Sequence, residues 1–360
     1  MYLDIKKICI CGTSRSFTAA TSVPFFYSSF QKDAFDLTSE ITGSKFLIAF
    51  NHNAEFYRAF IKSGGNPARA VLIRMEPISV FPAQYHTRIK RKYGLILSPG
   101  LSQENLPGDS LLSWPYQYHL NPAQPSNSDP LLSDILKSKS SQDVFDIEKW
   151  KGRSHLLTMV AANKVSPISD SNYGLRRKLA RELPEEVLGV FGPLWVDSLG
   201  QKVLHRLAVL VATLKQGTFP NLKEIYGNLF TKYATARGSI LNKHELLRDS
   251  KFALVIENSN TIVTEKIFDS ILNGAIPIYV GPDLQKYQLP QDLAISLKGS
   301  SSEILEVLTN MEIGVIEKHL SSMSEFIKSE KFSDNWAAQN VYQKLANTII
   351  EYFDGQASKD

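Results

Sequence analysis

Cysteine is almost missing from this chain: there are two in 360 residues. Both, Cys9 and Cys11, fall in the apolar run Ile8 to Gly12. Alternation along a strand points both side chains to one face, too nearly parallel for an easy disulfide. No His/Cys cluster stands near them, which argues against a metal site, so they read as buried thiols of a reducing compartment. The sequence also has no run of about 18 or more apolar residues and no signal-peptide pattern at its start, which removes the usual marks of a spanning helix or secretion. Neither sign of charge dominates. Lys and Arg number 40 against 36 Asp and Glu, a formal net charge of +4, and no nucleic-acid-binding signature is present. No G-x-G-x-x-G follows a strand, which disfavours a dinucleotide-dependent oxidoreductase. Internal repeats and coiled-coil heptads are absent as well.

What the chain does have is size and alternation. At 360 residues it exceeds the length at which single cores stop growing, so two domains are expected. In the first half, apolar runs at Lys7 to Cys11, Phe46 to Asn51, Ala70 to Met75 and Tyr93 to Leu97 read as strands, with Phe56 to Lys62 as a helix between two of them. Gly12-Thr13-Ser14 after the first strand leaves a phosphate-binding loop open as an alternative. From Pro99 to Gln142 the composition turns to Pro, Ser, Asn and Gln, which reads as a long connection. The boundary is placed near Lys151, giving domains 1–150 and 151–360. Strands at 155–161, 187–191, 252–256 and 275–280 follow, then helices at 302–310, 314–330 and 335–353. The last helix carries Trp336, Val341, Tyr342, Leu345, Ile349 and Tyr352 on one apolar stripe suited to packing back onto the fold.

The stretch Lys251 to Pro282, KFALVIENSNTIVTEKIFDSILNGAIPIYVGP, carries the most chemistry. Phe252 to Ile256 is a continuous apolar run, the pattern of a parallel strand covered on both faces. It ends on Glu257 and Asn258. Thr264 is placed to cap a helix whose Ile267, Phe268, Ile271 and Leu272 share one face, and Gly274 supplies a left-handed stop before the strand Ala275 to Val280. Two parallel strands joined by a helix put the loop 257–264 at the carboxyl edge of the sheet, where such folds bind ligands. Lys266 adds a full charge to the helix end there, a setting for an anion such as a nucleotide diphosphate.

ENS, then VTEK, then a helix, then GAIPIYVGP resembles the donor-binding signature of the α1,3/4-fucosyltransferases of glycosyltransferase family 10. The lead-in Asn242-Lys243, Glu245-Leu246 and Lys251-Phe252 is similar as well, over about 40 residues. The resemblance implies that Asn258, Glu265 and Lys266 line a site for GDP-fucose, with Glu257 shaping it. The chain departs from the family where the sugar would be read. The loop from Asn258 to Thr264 is about two residues shorter than usual, and Ile262-Val263 replaces an aromatic residue before the TEK run.

Two further constellations agree in order. Ala70 to Met75 ends in Glu76-Pro77, followed by Phe81-Pro82, which is similar to the family's Glu-Ser-Pro motif with Ile78 as the mismatch. By that resemblance Glu76 is the catalytic base of an acceptor domain. After the strand Leu156 to Ala161, Tyr173-Gly174-Leu175-Arg176-Arg177 opens a helix. The family's diphosphate-holding Arg aligns with Arg176, and Arg177 is the alternative. Taken as residues alone, Glu76 is a strand-ending carboxylate before a turn, and Arg176, Arg177, Lys178 and Arg181 form a solvated basic face.

The expectation is therefore an α/β protein of the GT-B class, two Rossmann-like domains facing across a cleft with C-terminal helices. Residues 1–150 would bind the acceptor and 151–360 the GDP-sugar. The activity implied is inverting transfer of L-fucose from GDP-β-L-fucose to a hydroxyl of a glycan or glycolipid, with no metal or other cofactor. A different nucleotide-sugar donor, or a non-catalytic nucleotide-binding module, is the alternative. The dense basic cluster Arg88, Lys90, Arg91 and Lys92, interleaved with Tyr85, His86 and Tyr93, reads as a solvated helix face or as a surface for an anionic or lipid-linked acceptor. The location implied is cytoplasmic, as a bacterial-type enzyme with or without peripheral membrane contact, or as a catalytic region trimmed of an anchor. Acceptor, linkage and oligomeric state stay open.

Overall fold

In the computed structural model, which describes residues 7–13, 17–31, 35–99, 109–117, 143–166, 168, 171–215, 219–227 and 229–357, the chain builds two six-stranded, wholly parallel sheets. Each belongs to its own unit. Ser14 of the Gly12-Thr13-Ser14 alternative and residues 100–108 and 118–142 of the expected long connection lie outside the described residues. Within that connection Asp109–Leu112 is a strand of the first sheet rather than loop, because its backbone pairs with the strand Leu95–Pro99.

The first sheet consists of β1 (Lys7–Cys11), β2 (Asp36–Thr38), β3 (Phe46–Phe50), β4 (Ala70–Ile73), β5 (Leu95–Pro99) and β6 (Asp109–Leu112), in the spatial order β2-β1-β3-β4-β5-β6. Both faces are covered, which is why its strands read as unbroken apolar runs. Ile8 and Ile10, Phe46 and Ile48, Val71 and Ile73 point to one core. Cys9 and Cys11, Leu47 and Ala49, Ala70 and Leu72 point to the other. The two thiols are free and buried, and burial pushes Cys9 up to about 12.

The second sheet holds β7 (His155–Val160), β8 (Leu188–Phe191), β9 (Ala236–Gly238), β10 (Ser250–Ile256), β11 (Ile276–Val280) and β12 (Ile295–Ser296), in the order β12-β11-β10-β7-β8-β9. Ranked along the chain and read from the β9 edge, this is the 3-2-1-4-5-6 order of the doubly wound nucleotide-binding fold. Its topological switch point lies between β7 and β10, which pair in parallel from Ser250 and His155 onward.

The division of the chain differs from a single crossing near Lys151. The units are Met1–Pro115 with Asp334–Asp360, and Tyr116–Ser333. The last helix, Ala338–Ala357, belongs to the first unit. Its Tyr342, Leu345, Ile349 and Phe353 close the same core as Phe26 and Phe30 of helix Pro24–Gln31, and the Phe353 ring lies 4.3 Å from that of Phe46. Tyr352, also on the expected stripe, donates its hydroxyl to the Ala68 carbonyl at 2.7 Å. An apolar stripe shows that a helix must be covered but does not say by what, so sequence order assigned this helix to the wrong neighbour. The single helix expected at 335–353 is two, Glu330–Trp336 and Ala338–Ala357. Several short elements carried too little periodicity to be read, among them β2, β6, β9 and β12. Among the described residues no helix is long and apolar enough to cross a membrane.

Candidate nucleotide site at the switch point of the second sheet

β10 runs straight into the candidate site. Its last residue, Ile256, is followed by Glu257, whose side chain is fully buried at the carboxyl edge. A buried carboxylate must be paired and hydrogen-bonded to be tolerated. Glu257 satisfies this by gathering three partners from across the following loop. The Thr264 backbone N–H donates to Oε1 at 2.8 Å, the Thr264 hydroxyl to Oε2 at 2.7 Å, and Lys266 Nζ to Oε2 at 3.0 Å. Gly281, in the turn after β11, allows this packing, since a Cβ there would lie 2.9 Å from Glu257 Cγ and 2.5 Å from the Tyr279 hydroxyl.

Thr264 occupies the N-cap position of the eight-residue helix Glu265–Leu272, but its hydroxyl makes no cap bond. It donates to Glu257 and accepts from Lys266 Nζ at 2.6 Å. Thr264 is therefore not the side-chain cap expected of it, because the buried carboxylate takes the same hydroxyl. The stop at Gly274 is as expected, with φ +69 and a Cβ that would meet the Val144 carbonyl at 2.2 Å.

Lys266 thus lies in the first helical turn with two of its three N–H donors bonded to Glu257 and Thr264. Burial works against its charge, but the carboxylates of Glu257 and Glu265 outweigh it, and its pKa is raised above the ordinary lysine value. The ion pair therefore holds below that value and is lost only as pH rises through the raised one. Burial likewise opposes ionisation of Glu265, yet Lys266 and Lys243 overcome it and hold its carboxyl below the usual range.

The other wall is the helix Tyr173–Glu182, after β7. Arg176 is 4% exposed and reaches across the switch point. Its Nη2 donates to the Ile256 carbonyl at 2.5 Å and to Asn258 Oδ1 at 2.8 Å, and its guanidinium stacks on Tyr173 with the carbon 4.9 Å from the ring centre. Nε is buried with no hydrogen-bond partner among the described residues. Burial lowers the Arg176 pKa. Arg177, adjacent in sequence, points elsewhere, to the Lys164 carbonyl at 2.7 Å and to an ion pair with Glu224. Neither arginine belongs to a solvated basic face; that description fits Lys178 and Arg181, which are exposed.

Arg176, Glu257, Asn258 and Lys266 are therefore brought together, with Glu265 starting the helix beside them. Asn258 ties the loop to the opposite helix a second time, because its carbonyl accepts the Asn172 backbone N–H at 3.0 Å. Sequence reasoning missed Asn172, whose side chain also donates to Asn260 at 3.0 Å, and Tyr287, whose hydroxyl donates to the Thr261 carbonyl at 2.7 Å. No local pattern marks either, since both act across the fold.

Glu76 lies in the first unit, three residues past the end of β4 and partly exposed. Its carbonyl accepts from Gln84 Nε2 at 2.8 Å and from the Tyr85 hydroxyl at 2.9 Å, so the backbone that carries the carboxylate is held from the turn Pro82–Tyr85. The strand before it is shorter than expected. Met75 donates its backbone N–H to Asn51 Oδ1 at 2.7 Å, outside the ladder, and Asn51 itself is left-handed at φ +59.

A cavity of about 400 Å³ opens elsewhere, lined by Asp143, Lys149, Arg248 and Asp249 at the amino edge of the second sheet. Arg153 in its wall is bonded to the carbonyls of Val144, Ser250 and Gly274, a structural use of the charge. Among the described residues no three His, Cys, Asp or Glu side chains gather where they could hold a metal ion.

No protein-family model matches the chain, and no curated protein matches it by sequence. Solved structures do. HepE from Anabaena in complex with UDP and glucose is 10% identical, with a TM-score of 0.54 over 96% of this chain and 100% of that one. An α1,3-fucosyltransferase solved with GDP is 14% identical, with a TM-score of 0.47 over 98% of this chain and 92% of that one. Identities this low speak to fold alone. With two parallel, doubly covered sheets and interleaved helices, the chain has the α/β fold of the GT-B class.

Proposed function

We propose that this chain is a glycosyltransferase that binds a nucleoside diphosphate sugar at the switch point of its second sheet, and that the donor is GDP-β-L-fucose, transferred with inversion to a hydroxyl of a glycan or glycolipid. The observation that carries the reading is the convergence of Arg176 and Lys266 on one loop. A buried arginine and a half-buried lysine on opposite helices, together with a helix N-terminus, stand at the carboxyl edge where a diphosphate binds in this sheet order.

In this reading Lys266 offers its third N–H to the diphosphate, while Glu257 and Thr264 fix its direction. Arg176 holds Asn258 in place and offers the donors left over from Ile256 and Asn258. As the sugar leaves, negative charge grows on the diphosphate. Fixed cations stabilise it without reorganisation, so this route needs no metal or other cofactor. Glu76 takes the proton of the attacking hydroxyl, a role worth about 10²–10⁴-fold for a positioned base. The first unit, Met1–Pro115 with Asp334–Asp360, is assigned the acceptor and the second, Tyr116–Ser333, the donor.

A second reading changes only the sugar. Ile262 and Val263, which stand where the fucosyltransferase pattern has an aromatic residue, are both buried, so neither offers a stacking face to a donor. Titration calorimetry with GDP and with UDP, followed by hydrolysis of GDP-fucose and other GDP-sugars with and without β-galactosyl and N-acetylglucosamine acceptors, separates these readings. GDP binding with fucose release supports the first, and release of another sugar supports the second. GDP binding without turnover points to a non-catalytic module, and no nucleotide binding at all overturns the site.

A further inference from the structure

Of the fourteen large apolar side chains exposed among the described residues, eleven lie between Val196 and Leu241. Their centre is the helix Leu199–Lys215, whose polarity is reversed. A helix packed on a globular unit turns its apolar stripe inward. This one buries Arg206 and Thr213, and Arg206 is bonded to the Ile225 and Gly227 carbonyls. It exposes Leu204, Leu207, Ala208, Val211, Ala212 and Leu214. Leu204 is 68% exposed. Beyond the helix, Phe219, Phe230 and Leu241 stand on connecting segments at 95%, 79% and 87% exposure.

The charge around this surface is one-sided. Residues 196–241 contain six basic side chains and two acidic ones; of the six, Arg206 is buried and Arg237 lies 3.8 Å from Glu185, outside this stretch. Both acids are engaged within the unit, Asp197 accepting the Leu194 backbone N–H and Glu224 pairing with Arg177. Lys223, Lys232 and Arg237 are exposed. We propose that this face docks on an anionic lipid surface, with the Leu199–Lys215 helix lying in the interface and the exposed Phe and Leu side chains entering the acyl boundary. An apolar face rimmed by Lys and Arg is what binds such a surface. At 1.5 Å per residue the helix is about 25 Å long, enough to lie in the interface and not to span the bilayer. A second copy is the poorer occupant, because a two-fold interface would set the basic rim against itself. Isolated aromatic prongs also match a fluid layer better than a rigid protein surface. Such docking does not depend on which donor or acceptor the protein uses.

The test is sedimentation of the full chain with vesicles of phosphatidylcholine alone and with about a third phosphatidylserine. Binding is expected only to the anionic vesicles, weakening with salt. The triple variant L204Q/L207Q/V211Q is expected to lose at least about tenfold in partitioning, and K223Q and K232Q about fivefold each. Circular dichroism checks that the triple variant is folded, and F219S/F230S probes the same face without touching the helix. The proposal is overturned if the anionic vesicles leave the wild type in solution, or if the apolar variants bind as well as it does. It is also overturned if light scattering shows a wild-type dimer that these variants convert to monomer.

Discussion

Lys266 Nζ lies 3.0 Å from Oε2 of Glu257, joining the first turn of a helix to the residue that follows strand β10. Glu257 is fully buried and the Lys266 side chain keeps about a fifth of its surface exposed, at 19%. The carboxylate is therefore enclosed by the protein, while part of the lysine side chain stays open to solvent. Such a pair fixes where a charge sits without neutralising its use to a ligand.

Lys266→Ala is expected to lower turnover by roughly 10²–10³, the usual consequence of removing one preorganised donor to developing charge. Glu257→Gln keeps the shape but removes the charge that orients Lys266, and it should weaken GDP binding and lower the melting temperature together. Steady-state kinetics and thermal melts of both variants check this. Turnover of Lys266→Ala equal to wild type would remove Lys266 from the site.

Glu76→Gln is expected to abolish transfer while GDP affinity stays nearly unchanged. The backbone there is held through its carbonyl by Gln84 and Tyr85, bonds that the substitution leaves intact. Calorimetry beside an acceptor-dependent assay separates a base from a structural carboxylate, because collapse of binding as well would mark Glu76 as structural.

Phe353→Ala tests the assignment of the last helix. The ring is fully buried against Phe46, and loss of such a side chain typically costs about 3–5 kcal/mol. Hydrogen exchange should rise across β1, β3 and β4, with β10 and β11 keeping their protection. Equal loss in both units would mean that the last helix does not belong to the first.

His52 gives the first unit a pH dependence. Burial, aided by the Lys92 charge, lowers its pKa to about 4 from an ordinary 6.5. Between those values the unfolded chain binds a proton that the folded chain refuses, so stability rises with pH across the window and is lost as pH falls through it. The full difference is on the order of 3 kcal/mol. Melts of wild type and His52→Gln from pH 7 to 4 should show a steeper decline in the wild type. Parallel curves would mean that His52 does not carry it.

Much of the second unit was legible because its signals are local. Phe252 to Ile256 read as a doubly covered strand and Ala275 to Val280 as the next strand from their own composition, and Gly274 marked its turn because few other residues adopt φ +69. Residue type also gave the chemistry, since a carboxylate, an amide and a lysine within ten residues of a strand end are visible without a fold. Tertiary structure decided which groups meet. Arg176 and Arg177 are chemically identical neighbours, and only the packing of their helix sends one to Asn258 and the other to Glu224. Thr264 has the residue type of a cap and the contacts of a carboxylate ligand, because Glu257 is buried beside it. The helix at 338–357 declared an apolar face in its sequence, yet which core it covers depends on contacts with residues some 300 positions away, such as Phe46. The strand order that puts β7 beside β10 is likewise a long-range fact. A sequence fixes each strand's faces through its own periodicity, but its neighbours only through the packing of the whole sheet.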